Sequence, residues 1–124
     1  MSLIKGIYAA SLSIINDNLS LNIDKTIKHA ENIIDYGCHG VVFFGSTGQS
    51  QLISLSEKIL LINKLPRSNY KKKFIIGTGS NSLLDTIFLM RNSITLGFNK
   101  FLIMPPAYYK YKDDDVINFY SKII

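Results

Sequence analysis

The residues Gly45-Ser46-Thr47-Gly48-Gln49-Ser50 follow an apolar run, Val41-Val42-Phe43-Phe44, and set two hydroxyl side chains between glycines. Glycine leaves backbone amides open and allows close approach, so such a loop suits a small anion such as a carboxylate. The hydroxyls of Ser46 and Thr47 can orient that anion or pass a proton. No Gly-Lys-Ser/Thr ending makes this a Walker loop, and it is not the dinucleotide fingerprint. The plainer alternative is an ordinary strand-to-helix turn. Gly77-Thr78-Gly79-Ser80-Asn81 is a second loop of the same character, less distinctive. Pro105-Pro106-Ala107-Tyr108-Tyr109 presents two phenol hydroxyls on a stiff backbone. A tyrosine hydroxyl can conduct a proton; the alternative is aromatic packing at a strand end or a subunit contact.

Other reactive residue types are scattered. His29 falls mid-helix and His39 at a strand entrance, so they make no ligand pair. Cys38 shares that end and reads as a small packing residue. No cluster of His, Cys, Asp or Glu has metal spacing, and neither a metal nor a cofactor is expected. Lys5, Lys73 and Lys100 sit at strand entrances, and Lys110 and Lys112 in a charged, wet segment. A nucleophilic lysine needs its pKa lowered by burial or a nearby cation, which none of these five has.

The elements that position the loops follow from hydrophobic period. A first strand begins in Gly6–Ala10, and Asn16-Asp17-Asn18 makes a turn. Ile23, Ile27, Ala30, Ile33 and Ile34 fall on one helical face, capped by Asn22 or Asp24 and ended by Gly37. Val41–Phe44 is a continuous apolar strand of the kind buried on both faces. Ser54-Leu55-Ser56-Glu57 is a capping box opening a helix whose stripe is Leu55, Ile59, Ile62 and Leu65, ending near Pro66. Phe74-Ile75-Ile76 is a third strand. Ser82 and Asp85 suggest a second box before a helix lined by Leu84, Ile87, Phe88 and Ile94 and stopped by Gly97. Phe101–Met104 is the fourth strand. Asp113-Asp114-Asp115 opens a last helix, with negative charge at its positive dipole end and a stripe of Val116, Phe119, Tyr120 and Ile123. The order is β/α four times with strands about 30 residues apart, as βαβ units require. Parallel strands of this order make either a small open sheet or half of a (β/α)₈ barrel.

The 124 residues, 47% hydrophobic and 19% charged, describe one small folded domain or part of a larger one, with no internal boundary. The net charge of +5 draws on Lys71-Lys72-Lys73, a solvated loop at a strand entrance. No recognised motif accompanies it, so no nucleic-acid partner is expected. No apolar stretch approaches a membrane span, and a single cysteine fits a reducing compartment, so a soluble cytoplasmic protein is expected.

In these loops the chain resembles the N-terminal half of the dihydrodipicolinate synthase/N-acetylneuraminate lyase family over essentially its whole length. The family's Gly-Thr-Thr-Gly-Glu-Ser after the second strand is matched by Gly45-Ser46-Thr47-Gly48-Gln49-Ser50. Its Gly-Thr-Gly after the third is matched by Gly77-Thr78-Gly79, and its proline–aromatic–tyrosine segment after the fourth by Pro106-Ala107-Tyr108-Tyr109. The resemblance implies residues 1–124 are a single partial domain, the first four β/α units of a (β/α)₈ TIM barrel. It implies a class I aldolase or lyase acting on pyruvate or a related 2-keto acid through a lysine Schiff base. By position, Gly45, Ser46, Thr47 and Gly48 would hold the keto-acid carboxylate, with Thr47 the main hydroxyl. Ser46 would be the hydroxyl of the family's proton relay, and Tyr108 the relay tyrosine often lent to a neighbouring subunit. Full-length relatives are often homo-oligomers, commonly tetramers.

The departures bear on activity. The family's Schiff-base lysine ends its sixth strand and a second relay tyrosine ends its fifth, and neither strand is in this sequence. Ser13-Ile14 stands near the usual Thr-Pro pair, and Gln49 replaces a glutamate that is not the nucleophile. The expectation is a truncated family member, inactive by itself. The alternatives are a non-enzymatic assembly or regulatory fragment and a small α/β domain that binds an anionic ligand.

Overall fold

The computed structural model describes residues 3–124. Four strands, β1 (Tyr8–Ala10), β2 (Gly40–Phe43), β3 (Phe74–Gly77) and β4 (Phe101–Leu102), form one sheet in chain order, and every neighbouring pair is parallel. Each strand is followed by a helix: α1 (Ile23–Asp35), α2 (Leu55–Lys64), α3 (Leu83–Thr95) and α4 (Asp113–Ile123). Parallel strands paired in order, with right-handed crossovers, place all helices on one face. This is half of a (β/α)₈ barrel, with free edges on β1 and β4.

Register decides which side chains meet the helices. Val41 stands opposite Phe74 and Phe43 opposite Ile76. These four join Ala30 and Ile34 of α1, Leu61 and Ile62 of α2 and Leu89 of α3 in one buried cluster. Alternate positions point the other way. Ala10, Val42 and Ile75 share one row, with Leu102 opposite Gly77, and they form a concave apolar face.

The helix ends follow their caps. The Asn22 side chain accepts from the Lys25 amide, and Gly37 leaves α1 at φ 116°, a left-handed turn that glycine enters without a Cβ clash. Ser54 and Glu57 make the full capping box, and Glu57 also accepts from the Leu21 amide at 2.7 Å. That second bond ties α2 to the segment leading into α1. The Asn16–Asn18 turn is closed by an Ile15–Leu21 bridge.

Three expectations shift. Ser82 caps α3 through the Asp85 amide, but its own amide goes to Ser80 Oγ, so the aspartate makes no reciprocal bond. On α3, Leu84, Phe88 and Ile94 are exposed, and the buried face is Thr86, Leu89 and Ser93. Thr86 and Ser93 satisfy their hydroxyls on carbonyls of their own helix, so they bury at little cost. Finally β4 pairs over only two residues, short of the expected Phe101–Met104.

Candidate active site

All three motif loops emerge at the C-terminal ends of the strands, the end at which parallel α/β folds hold their ligands. An open cavity of about 470 Å³ lies there. Gly45, Ser46, Gln49 and Ser50 line it from the first loop, Gly79 from the second, and Leu102, Met104 and Pro105 from the end of β4.

The loop after β2 is a compact turn. Its Gln49 amide donates to the Ser46 carbonyl and its Ser50 amide to the Gly45 carbonyl. Among the described residues the amides of Ser46, Thr47 and Gly48 have no protein acceptor, so three adjacent donors stay free. The turn is entered through Phe44 at φ 56° and left through Gln49 at φ 54°, both in the left-handed region that side chains other than glycine seldom adopt. Such outliers persist where surrounding structure holds them, and they cluster at functional sites.

Two glycines are fixed by close approach. A Cβ on Gly48 would stand 2.9 Å from the Ser11 carbonyl oxygen, and one on Gly79 would stand 2.5 Å from the Met104 nitrogen. The first presses the glycine turn against the segment after β1. The second lets the segment after β4 approach the loop after β3. Ser13 Oγ donates to the Gly48 carbonyl at 2.6 Å, and Ser11 donates its amide to the Val42 carbonyl.

Each expected site residue has a definite place. Gly45 and Ser46 line the cavity; the exposed Thr47 and the buried Gly48 belong to the same turn without lining it. Tyr108 does not line it either. It is 91% exposed at φ 81°, its ring edge-on to Tyr109 at 5.1 Å between centroids. Its segment is anchored from behind, where the Ala107 amide donates to Asn81 Oδ1 at 2.8 Å and Tyr120 donates to the Ile103 carbonyl.

Sequence reasoning passed over Lys58. This lysine is buried, and its Nζ donates to Ser50 Oγ at 3.0 Å. Burial holds its pKa below the usual lysine value, against a smaller opposing pull from Asp85. The signal was available: Lys58 stands three, four and seven residues before Leu61, Ile62 and Leu65, within the buried stripe of α2.

Four parallel β/α units in chain order, with an open cavity at the strand ends, define the class of protein as a (β/α)₈ barrel fold, of which this chain is half. Sequence comparison is specific: residues 3–124 match the Dihydrodipicolinate synthetase family, and the chain belongs to it. It is 36% identical over 92 residues to a DapA-like lyase of Chloroflexus aurantiacus, covering 74% of this chain and 31% of that protein. It is 35% identical over 102 residues to a 4-hydroxy-tetrahydrodipicolinate synthase of Listeria monocytogenes, covering 80% and 35%. Among solved structures, the 2-keto 3-deoxygluconate aldolase of Picrophilus torridus superposes with a TM-score of 0.89 at 24% identity, covering 98% of this chain and 44% of that one. YagE of E. coli, solved in complex with pyruvate, superposes with a TM-score of 0.86 at 21% identity, covering 98% and 41%. The chain thus spans well under half the length of the relatives it matches.

Proposed function

We propose that this chain supplies the carboxylate-gripping half of a 2-keto-acid pocket, in a lyase or aldolase that works through a lysine Schiff base. The carrying observation is the trio of free amides at Ser46, Thr47 and Gly48 beside an open cavity at the strand ends. Pyruvate or a related keto acid would set its carboxylate on those amides, with the Thr47 hydroxyl as a further donor. Its keto carbon would then face the apolar wall of Leu102 and Met104. In this reading the Schiff-base amine comes from a strand beyond the four described here. That amine attacks the keto carbon, water leaves, and the carbon next to the iminium loses a proton, its electron pair forming the enamine. Ser46 would be the hydroxyl of the relay that carries the protons these steps move.

Tyr108 is exposed and does not line its own cavity, which supports a role in the site of a neighbouring subunit in a homo-oligomer. The same exposed Tyr108–Tyr109 pair favours the second reading, an assembly or regulatory piece of a longer homologue. The free thiol of Cys38 goes with a cytoplasmic setting.

The tests are hydrogen exchange with and without pyruvate, and borohydride reduction in the presence of pyruvate followed by mass analysis. The expected result is protection of the Gly45–Ser50 loop from hydrogen exchange by pyruvate, with no stable adduct on this chain. A stoichiometric adduct on one lysine would overturn the assignment of the amine to a later strand. Absence of any protection would overturn the pocket itself.

A further inference from the structure

Lys58 is a charged group that neither the fold nor the pocket so far accounts for. It is only 5% exposed, on the inward face of α2 near its start. Its Nζ donates to Ser50 Oγ at 3.0 Å and sits 5.9 Å from the centre of the Phe44 ring. Phe44 and Ser50 bracket the loop whose amides stay free, so one ammonium contacts both ends of it. Phe44 is also the residue held at φ 56° where the loop begins.

We propose that Lys58 is a positioning residue for the carboxylate loop: it clamps the loop's two ends and holds a positive charge behind its free amides. The inference rests on the reading of that loop as a carboxylate site. The charge balance supports it. Among the described residues no carboxylate lies within ion-pair distance of Lys58, and the one ion pair found is Lys64 with Asp24. Asp85 of α3 is the carboxylate whose field reaches it, and the neighbouring Glu57 is engaged by the Leu21 amide and by Ser54. A buried ammonium without a paired carboxylate is costly, and a neutral chain of similar length would pack there at lower cost. An anion on the far side of the loop offsets that cost and gains from the charge.

The argument separates positioning from plain packing. Lys58→Met keeps the volume and removes the charge, so the folded chain should be as stable as before or more so. Its carboxylate loop, however, should loosen. Hydrogen exchange of the full chain, read on the peptide spanning 41–54, reports this with and without pyruvate as the probe. The expected result for Lys58→Met is about tenfold faster exchange of the Gln49 and Ser50 amides, which bond to carbonyls of the turn, and about tenfold weaker protection of the Ser46–Gly48 amides by pyruvate, with β3 unchanged. Lys58→Arg keeps the charge and should restore most of both. Ser50→Ala removes one anchor and should show the loosening alone. Unchanged loop exchange in Lys58→Met overturns the proposal, and so does equal loosening in Lys58→Met and Lys58→Arg. If pyruvate protects nothing in the parent chain, the carboxylate reading fails, and the clamp is still decided by the exchange rates without ligand.

Discussion

The hydroxyl of Ser13 donates to the carbonyl of Gly48 at 2.6 Å, so the segment after the first strand holds the glycine turn of the second. The two residues are far apart in sequence, and their bond ties the end of the turn to the segment after β1.

Ser13→Ala should therefore cost about 1 kcal/mol of stability, the usual net value of one part-buried hydrogen bond. Its larger effect should be local. The bonded Gln49 and Ser50 amides should exchange faster while β3 and α3 keep their protection. Equal acceleration everywhere would show that the bond serves the whole fold and not the turn.

Gly48→Ala tests the same contact from the other side. An added methyl would stand 2.9 Å from the Ser11 oxygen, in backbone that cannot swing away as a side chain would. Overpacking of this kind costs about 1–3 kcal/mol. A thermal melt should fall accordingly, and an unchanged midpoint would mean that the β1 segment is free to give way.

Glu57 links α2 to the entry of α1 and gives the chain an acid-sensitive joint. Hydrogen bonds from the Leu21 amide and then from Ser54 hold its carboxyl below the ordinary value of 4.5. The ionised form is therefore favoured by folding. Its contribution is fully present above the ordinary carboxylate range and disappears as pH falls through the lowered folded value. Glu57→Gln should cost about 1 kcal/mol near neutral pH. Melts of the two proteins should converge as the pH falls through that lowered value. A gap that persists in acid would assign the effect to shape and not to charge.

What the sequence made legible follows from what is local. The order of four β/α units, the capping box at Ser54 and the left-handed exits at Gly37 and Gly97 rest on period and turn chemistry, and all are present. The stripe of α3 was misread because apolarity was taken for burial. Its inward face uses Thr86 and Ser93, whose hydroxyls are satisfied on their own helix, while Leu84 and Phe88 face outward. Lys58 was passed over for the converse reason, since a charge inside an apolar stripe is normally read as an interruption. The loop residues of the pocket were legible from type, and Gly45 and Ser46 do line the cavity. The contribution of Met104 and Pro105 was not, because it depends on the segment after β4 closing on Gly79, a long-range approach that no local pattern encodes.

The free edges make the last prediction. β1 and β4 each pair on one side only, which leaves ladder groups open on both flanks of the sheet. Ile7 beside the first edge is 70% exposed and Leu102 on the fourth strand is 47% exposed. Open, apolar edges template pairing with other strands, and charge on the edge suppresses it. The described chain should therefore sediment as a self-associated species, whose size grows with concentration. Leu102→Lys places an ammonium on the concave side of β4 and should shift that distribution toward the monomer without unfolding α1–α3, whose core lies on the opposite face of the sheet. A monodisperse monomer with a single cooperative melt in the parent chain would show that four units close their own edges. The half-barrel account of this fold would then have to be replaced.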